Sequence, residues 1–181
     1  AVGPDQVTTV TVEPRPRAVI TNNAATICQG GNVDLTISSP TVPSVPGDLG
    51  FNLVVTSTNP GALGGTASVN LGGQSFPQSL GGTLTNSSND FITVTYTVTP
   101  TLNGCANGPV AVTTVIVEPT PQATIANSTP VICNGSNVNL PIVSPTNPSV
   151  PANLVFDLVV TSTNAGAMGG TAWGNQANLA F

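Results

Sequence analysis

The chain contains no Lys and no His, and its only basic residues are Arg15 and Arg17. Without His, every His-based catalytic triad and every His-ligated metal site is excluded. With so few cations and a net charge of −5, the chain has no means of neutralising nucleic acid or an anionic membrane surface. Charged residues make up 5% of the sequence, against roughly 25% in an ordinary soluble domain. The apolar share is 39%, rich in Val, Ile and Leu, and that supply is enough to build a core. No apolar run approaches the roughly 18 residues that span a bilayer, so membrane insertion is not expected. No signal peptide opens the chain, and its first residue is expected to be an internal point of a longer precursor.

The chemical inventory is as thin as the charge. The carboxylates are Asp5, Glu13, Asp34, Asp48, Asp90, Glu118 and Asp157, and they are scattered. No Asp-x-Asp run exists to start a Ca²⁺ loop. Asp48 and Asp90 fall in loops, where solvated acids are the simpler reading. A glycosidase pair would have to be assembled across strands. Neither a catalytic residue, a cofactor nor a metal ligand is assigned. Gly61 to Thr66 (GALGGT) and Gly166 to Thr171 (GAMGGT) are glycine-rich like phosphate loops, but they lack the Lys and open no helix, which leaves turn glycines. Trp173, the one indole, is read as a partly buried aromatic rather than a sugar platform. Sequons stand at Asn86, Asn127 and Asn134.

What the chain does have is repetition. Val7 to Pro16 reads VTTVTVEPRP, and Val112 to Pro121 reads VTTVIVEPTP, 105 residues later. Residues 17–76 and 122–181 align without a gap, with 34 of 60 positions identical. The chain therefore divides into the last strand and linker of one repeat (1–16), a complete repeat (17–121), and the first part of another (122–181). Glu13-Pro14-Arg15-Pro16 and Glu118-Pro119-Thr120-Pro121 are the joints. Pro fixes φ and favours extended geometry over a flexible coil, and the two equivalent glutamates are expected to act structurally there.

The three cysteines fit the same frame. Cys133 is the counterpart of Cys28, 105 residues on, and its own partner would fall near position 210, outside the sequence. One disulfide is expected within the complete repeat, Cys28 to Cys105, pinning a loop at one end of the fold. Closing a loop of some 77 residues would contribute about 4 kcal/mol. Two buried free thiols are the alternative. Disulfide use and the lack of Lys point outside the cytosol.

Within residues 17–121 apolar residues alternate with period two. The pattern predicts seven strands: 18–20, 33–37, 51–55, 69–71, 82–85, 92–99 and 110–117. Pro40, Pro43 and Pro46 interrupt pairing between the second and third. No helix is expected. Seven short strands in about 100 residues, with Gly, Pro and Asn turns, indicate an all-β, immunoglobulin-like sandwich, without the buried inter-sheet bridge and Trp of antibody domains.

These residues also carry a family resemblance. The run Tyr96-Thr-Val-Thr-Pro, then Asn103-Gly104-Cys105, then a Val/Thr strand ending at Glu118-Pro119-Thr120-Pro121, resembles the PKD-like repeats of large Bacteroidota surface proteins. The run Ile-Cys-x-Gly-x-x-Val-x-Leu at Ile27 to Leu35 is similar to the opening of those repeats. The resemblance implies long extracellular adhesins on the cell surface, including gliding-motility adhesins exported by the type IX secretion system. The expected function is therefore that of a non-enzymatic stalk repeat of an adhesin or surface filament. Its expected partners are neighbouring repeats of the same chain, with surface glycans or other filament subunits as further ones. The competing readings are a glycan- or protein-binding module and an accessory domain of a secreted enzyme.

Overall fold

The structure is a computed structural model that describes residues 3–169 and 176–180. It is all-β, with two sheets closing over one core within residues 17–121. In chain order the strands there are β1 (Val19–Asn22), β2 (Thr26–Ile27), β3 (Asn32–Ser38), β4 (Leu49–Ser57), β5 (Leu63–Gly64), β6 (Leu71–Ser75), β7 (Gln78–Thr83), β8 (Thr85–Asn86), β9 (Ile92–Leu102) and β10 (Ala111–Val117). One sheet has the order β1-β3-β7, the other β2-β10-β9-β4-β6, and β5 pairs with β8 in a small ribbon. All pairs are antiparallel except β2 with β10, which run parallel at Thr26 and Ile27.

The alternation that predicts β9 is what buries it. Ile92, Val94, Tyr96 and Val98 all face inward at 0% exposure, while the Thr between them lie half-buried on the other face. Neutral β-branched residues suit such outward positions without adding charge. From the opposite sheet β3 contributes Val33, Leu35 and Ile37, and β4, beside β9 in the same sheet, adds Phe51 and Leu53. The Phe51 ring meets that of Phe76 with centroids 4.8 Å apart and planes tilted by 44°, a favourable aromatic arrangement. Pro100 sits in β9 without breaking it. Its carbonyl accepts a bond from Gly108 N, on the side where β10 has not yet begun, so its missing N–H interrupts no ladder.

Tyr96 is the one polar side chain in this layer that titrates. Its hydroxyl donates to the Ala67 carbonyl at 3.0 Å, and burial pushes its pKa up to about 12, above its ordinary 10. Between those values the folded state keeps a proton that the unfolded chain has lost. Stability is therefore complete below pH 10 and falls as pH rises towards 12, by up to about 3 kcal/mol at roughly 1.4 kcal/mol per pH unit. Urea titrations at pH 9 and pH 12 should show that loss, and Tyr96→Phe should remove its tyrosine-linked part.

The strands differ from expectation where glycine hides them. A strand expected at 82–85 is β7, at Gln78–Thr83, and the short one at 69–71 is β6, which runs through Gly72 and Gly73 to Ser75. Glycine carries no apolar signal, so period two cannot be seen there. β6 is instead held by side chains: Asn52 Oδ1 accepts from Gly73 N at 2.9 Å, and Asn70 Oδ1 accepts from Val55 N at 2.7 Å. The two-residue strands β2, β5 and β8 are too short to leave a pattern. No α-helix occurs among the described residues, only the 3₁₀ turns Pro46–Asp48, Pro151–Asn153 and Ala165–Ala167. None of these is long or apolar enough to cross a membrane.

Beyond Pro121 the second segment begins as the first does. Strands β11 (Thr124–Ile125) and β12 (Ile142–Val143) pair Thr124 with Val143 and Ile125 with Ile142, as Val19 pairs with Ser38 and Ile20 with Ile37. Further on, β13 (Val155–Leu158) pairs with β14 (Gln176–Ala180). Val138 and Leu140, the counterparts of buried Val33 and Leu35, are 43% and 42% exposed. The layer that buries the earlier pair is built from β9 and β10, and no counterpart of it covers the later pair among the described residues.

Candidate functional site: the joint between successive units

Each Glu-Pro-x-Pro joint is followed by a Pro-rich crossing, and the structure ties the two together with the same bonds in both places. At the first joint the Glu13 carboxylate accepts from Ser44 N at 3.0 Å and from the Ser44 hydroxyl. At the second, Glu118 accepts from Ser149 N at 3.0 Å and from the Ser149 hydroxyl. Both serines lie 31 residues beyond their glutamate. Around each clamp the chain entering the new unit is fastened to the crossing. Arg17 N donates to Thr41 Oγ1 at 2.9 Å and Gln122 N to Thr146 Oγ1 at 2.9 Å. Ser39 Oγ donates to the Arg17 carbonyl and Ser144 Oγ to that of Gln122, both at 2.6 Å. Bonds to a charged acceptor contribute about 1.5–3 kcal/mol each when buried, and less at these half-buried carboxylates.

The second joint has a further grip. Asn147 N donates to the Asn89 carbonyl at 2.7 Å, and Phe91 N donates to the Asn147 carbonyl at 3.1 Å. This makes a one-residue β-bridge between Asp90 and Asn147. The Asn147 amide also donates to Asp90 Oδ1 at 3.1 Å, and Gln122 Nε2 donates to Asn89 Oδ1 at 3.2 Å. Asp90 and Glu118 lie at the same end of the unit, because Ile92 pairs with Val117. Each engages the loop 147–149 of the following segment.

The joint prolines are packed unequally. Pro16 is fully buried, under Gly108, where an added Cβ would come within 1.8 Å of the Pro16 carbonyl oxygen. Pro119 is also buried, while Pro14 and Pro121 are exposed. Below the second joint lies an open cleft of about 560 Å³, lined by Cys28, Glu118, Pro121, Thr146, Asn153 and Leu154 among others.

The expected Cys28–Cys105 bridge is corrected by the topology. Both residues, like Cys133, are free and exposed. Cys28 follows Ile27, which pairs with Val117 and so lies at the Ile92 end of β9. Cys105 lies past Leu102, to whose carbonyl its N–H donates at 3.0 Å. The length of β9 separates them, roughly 30 Å at ~3.3 Å per residue, while a disulfide requires Cα atoms within about 7 Å. The two thiols belong to opposite ends of the unit rather than to one.

The remaining candidates are structural. Asp48 lies at the Leu102 end of β9 and Asp90 at the other, so the two loop acids do not meet. Asp34 Oδ2 accepts from Asn23 Nδ2 at 3.2 Å. In the GALGGT segment, Leu63–Gly64 is strand β5, and Gly65 follows at φ +105°, where a Cβ would strike the Thr83 carbonyl oxygen at 2.2 Å. Glycine is required there by packing. The Asn86 amide is 2% exposed and donates to the carbonyls of Asp90 and Val117, so its sequon is not open to a glycan. Trp173 lies outside the described residues. Sequence reasoning missed Ser44, Ser149, Thr41, Thr146 and Asn147. The signal was present in Ser-Pro-Thr and Pro-Ser-Val-Pro, each of which occurs in both crossings. Compared with protein-family models and with curated proteins, the chain matches none.

Proposed function

We propose that the chain is a stretch of tandem, non-catalytic immunoglobulin-like repeats that forms an extended stalk of an extracellular adhesin or surface filament. The observation that carries this reading is the joint. The same glutamate–serine clamp and the same Thr and Ser fastenings occur twice at a spacing of 105 residues, so one geometry is available for every repeat. A linear array of this kind gains stability from each unit and each neighbour contact. The sandwich reading is supported by strand order. β3 and β7 share one sheet while β4, β9 and β10 share the other, as do strands B, E and C, F, G of the immunoglobulin architecture. The low charge, the lack of Lys and the resemblance to PKD-like Bacteroidota repeats support the cell-surface assignment.

The test is small-angle scattering from a chain carrying several copies of the repeat. An extended rod advancing about 40 Å per repeat is expected, since β9 alone runs about 33 Å and loops and joint add the rest. Replacing Pro119 and Pro121 with Gly should loosen that advance. A compact particle would overturn the stalk reading.

A further inference from the structure

The two ends of the unit carry one cysteine each, and the joint is where the end of one unit meets the beginning of the next. Three landmarks hold the Cys105 loop in the complete unit. Asn103 N donates to the Asp48 carbonyl at 3.1 Å, Leu102 pairs with Leu49, and Gly108 packs on Pro16. The counterparts of Asp48, Leu49 and Pro16, 105 residues on, are Asn153, Leu154 and Pro121. All three line the cleft that Cys28 also lines. Pro16 is buried beneath its loop, and its counterpart Pro121 lies at the surface of the cleft. A following repeat that carries the same loop sets its cysteine into the cleft beside Cys28.

We propose that successive repeats are joined by a disulfide between Cys28 of one repeat and the cysteine at the Cys105 position of the repeat that follows. The inference rests on the tandem reading given above. Cys105 itself then pairs with the Cys28 counterpart of the preceding repeat, and Cys133 serves the next joint, so each joint receives one bridge. The bond forms by exchange with a small-molecule or protein disulfide. A Cys28 thiolate attacks it and expels one thiolate. The incoming loop's thiolate then attacks the mixed disulfide and expels the second. Two protein thiols are oxidised, one external disulfide is reduced to two thiols, and the two protons end on the released pair. The bridge spans the Glu118–Ser149 clamp, so tension on the joint is borne by a covalent bond as well as by hydrogen bonds.

The experiment uses the full chain extended after Phe181 by a copy of residues 77–121, which completes the second repeat because Phe181 aligns with Phe76. The added segment brings a fourth cysteine. After oxidation with glutathione disulfide and alkylation, native thiols should fall from four to two, and peptide mapping should find Cys28 linked to the added cysteine. Cys105 and Cys133 should be recovered alkylated. Cys133→Ser should leave the bridge in place, and Cys28→Ser should leave all remaining thiols free. Recovery of Cys28 as a free thiol, or linked to Cys105, overturns the proposal. Scattering from the same sample separates the two readings. An extended but unbridged particle removes the bridge alone, whereas a compact one removes the array and the bridge with it.

Discussion

Replacing Glu118 with Ala is expected to release the second joint while leaving the preceding unit folded. The variant loses both bonds from Ser149 and keeps the Asn147 bridge. If the two bonds together hold about 1.5–3 kcal/mol, amide exchange at Ser149 should accelerate roughly 10- to 150-fold. The melting temperature of residues 17–121 should hardly move, since the carboxylate lies outside their core. Ser149→Ala should give a smaller acceleration, because the backbone donor survives. The double variant should be less than additive, as expected for two groups in direct contact. Exchange measured by NMR or mass spectrometry decides it. Unchanged protection at Ser149 would mean that the prolines and Asn147 alone set the joint.

Replacing Phe51 with Ala is expected to lower the stability of the complete unit by about 3–5 kcal/mol, the usual cost of emptying a buried aromatic site. Phe51 is at 0% exposure between the sheets and its ring meets the tilted ring of Phe76, so the cavity has few ways to collapse. Against a total of roughly 5–15 kcal/mol for a domain, the loss should leave the variant close to unfolding at 37 °C. Phe51→Leu should retain more than half of what Ala loses. Urea midpoints of the three proteins give the comparison. A loss below about 1 kcal/mol for Ala would contradict the packing described here.

The joint and the core respond to separate variants because separate forces hold them. The core is a matter of apolar area and shape. The joint is a short list of directed bonds to one carboxylate and one loop.

Much of this was legible before any coordinates. Alternation at Ile92, Val94, Tyr96 and Val98 determines a half-buried strand by period alone, and Val-Glu-Pro-x-Pro recurs 105 residues on, at the two places where the glutamate–serine clamp is found. Composition by itself removes His chemistry and leaves too few cations to neutralise a polyanion. Which glutamate meets which serine was not legible, since Glu118 and Ser149 lie 31 residues apart and only the turn of the chain into the crossing brings them together. The cysteines make the same point more sharply. Spacing places Cys28 and Cys105 in one repeat and suggests a pair, because sequence carries distance along the chain but not direction across a sheet. Only the pairing of β2 with β10 and of β10 with β9 shows that the two lie at opposite ends of an 11-residue strand. Local patterning thus determined the long alternating strands, and the tertiary structure decided which ends meet, because that depends on strand order, which no local pattern encodes.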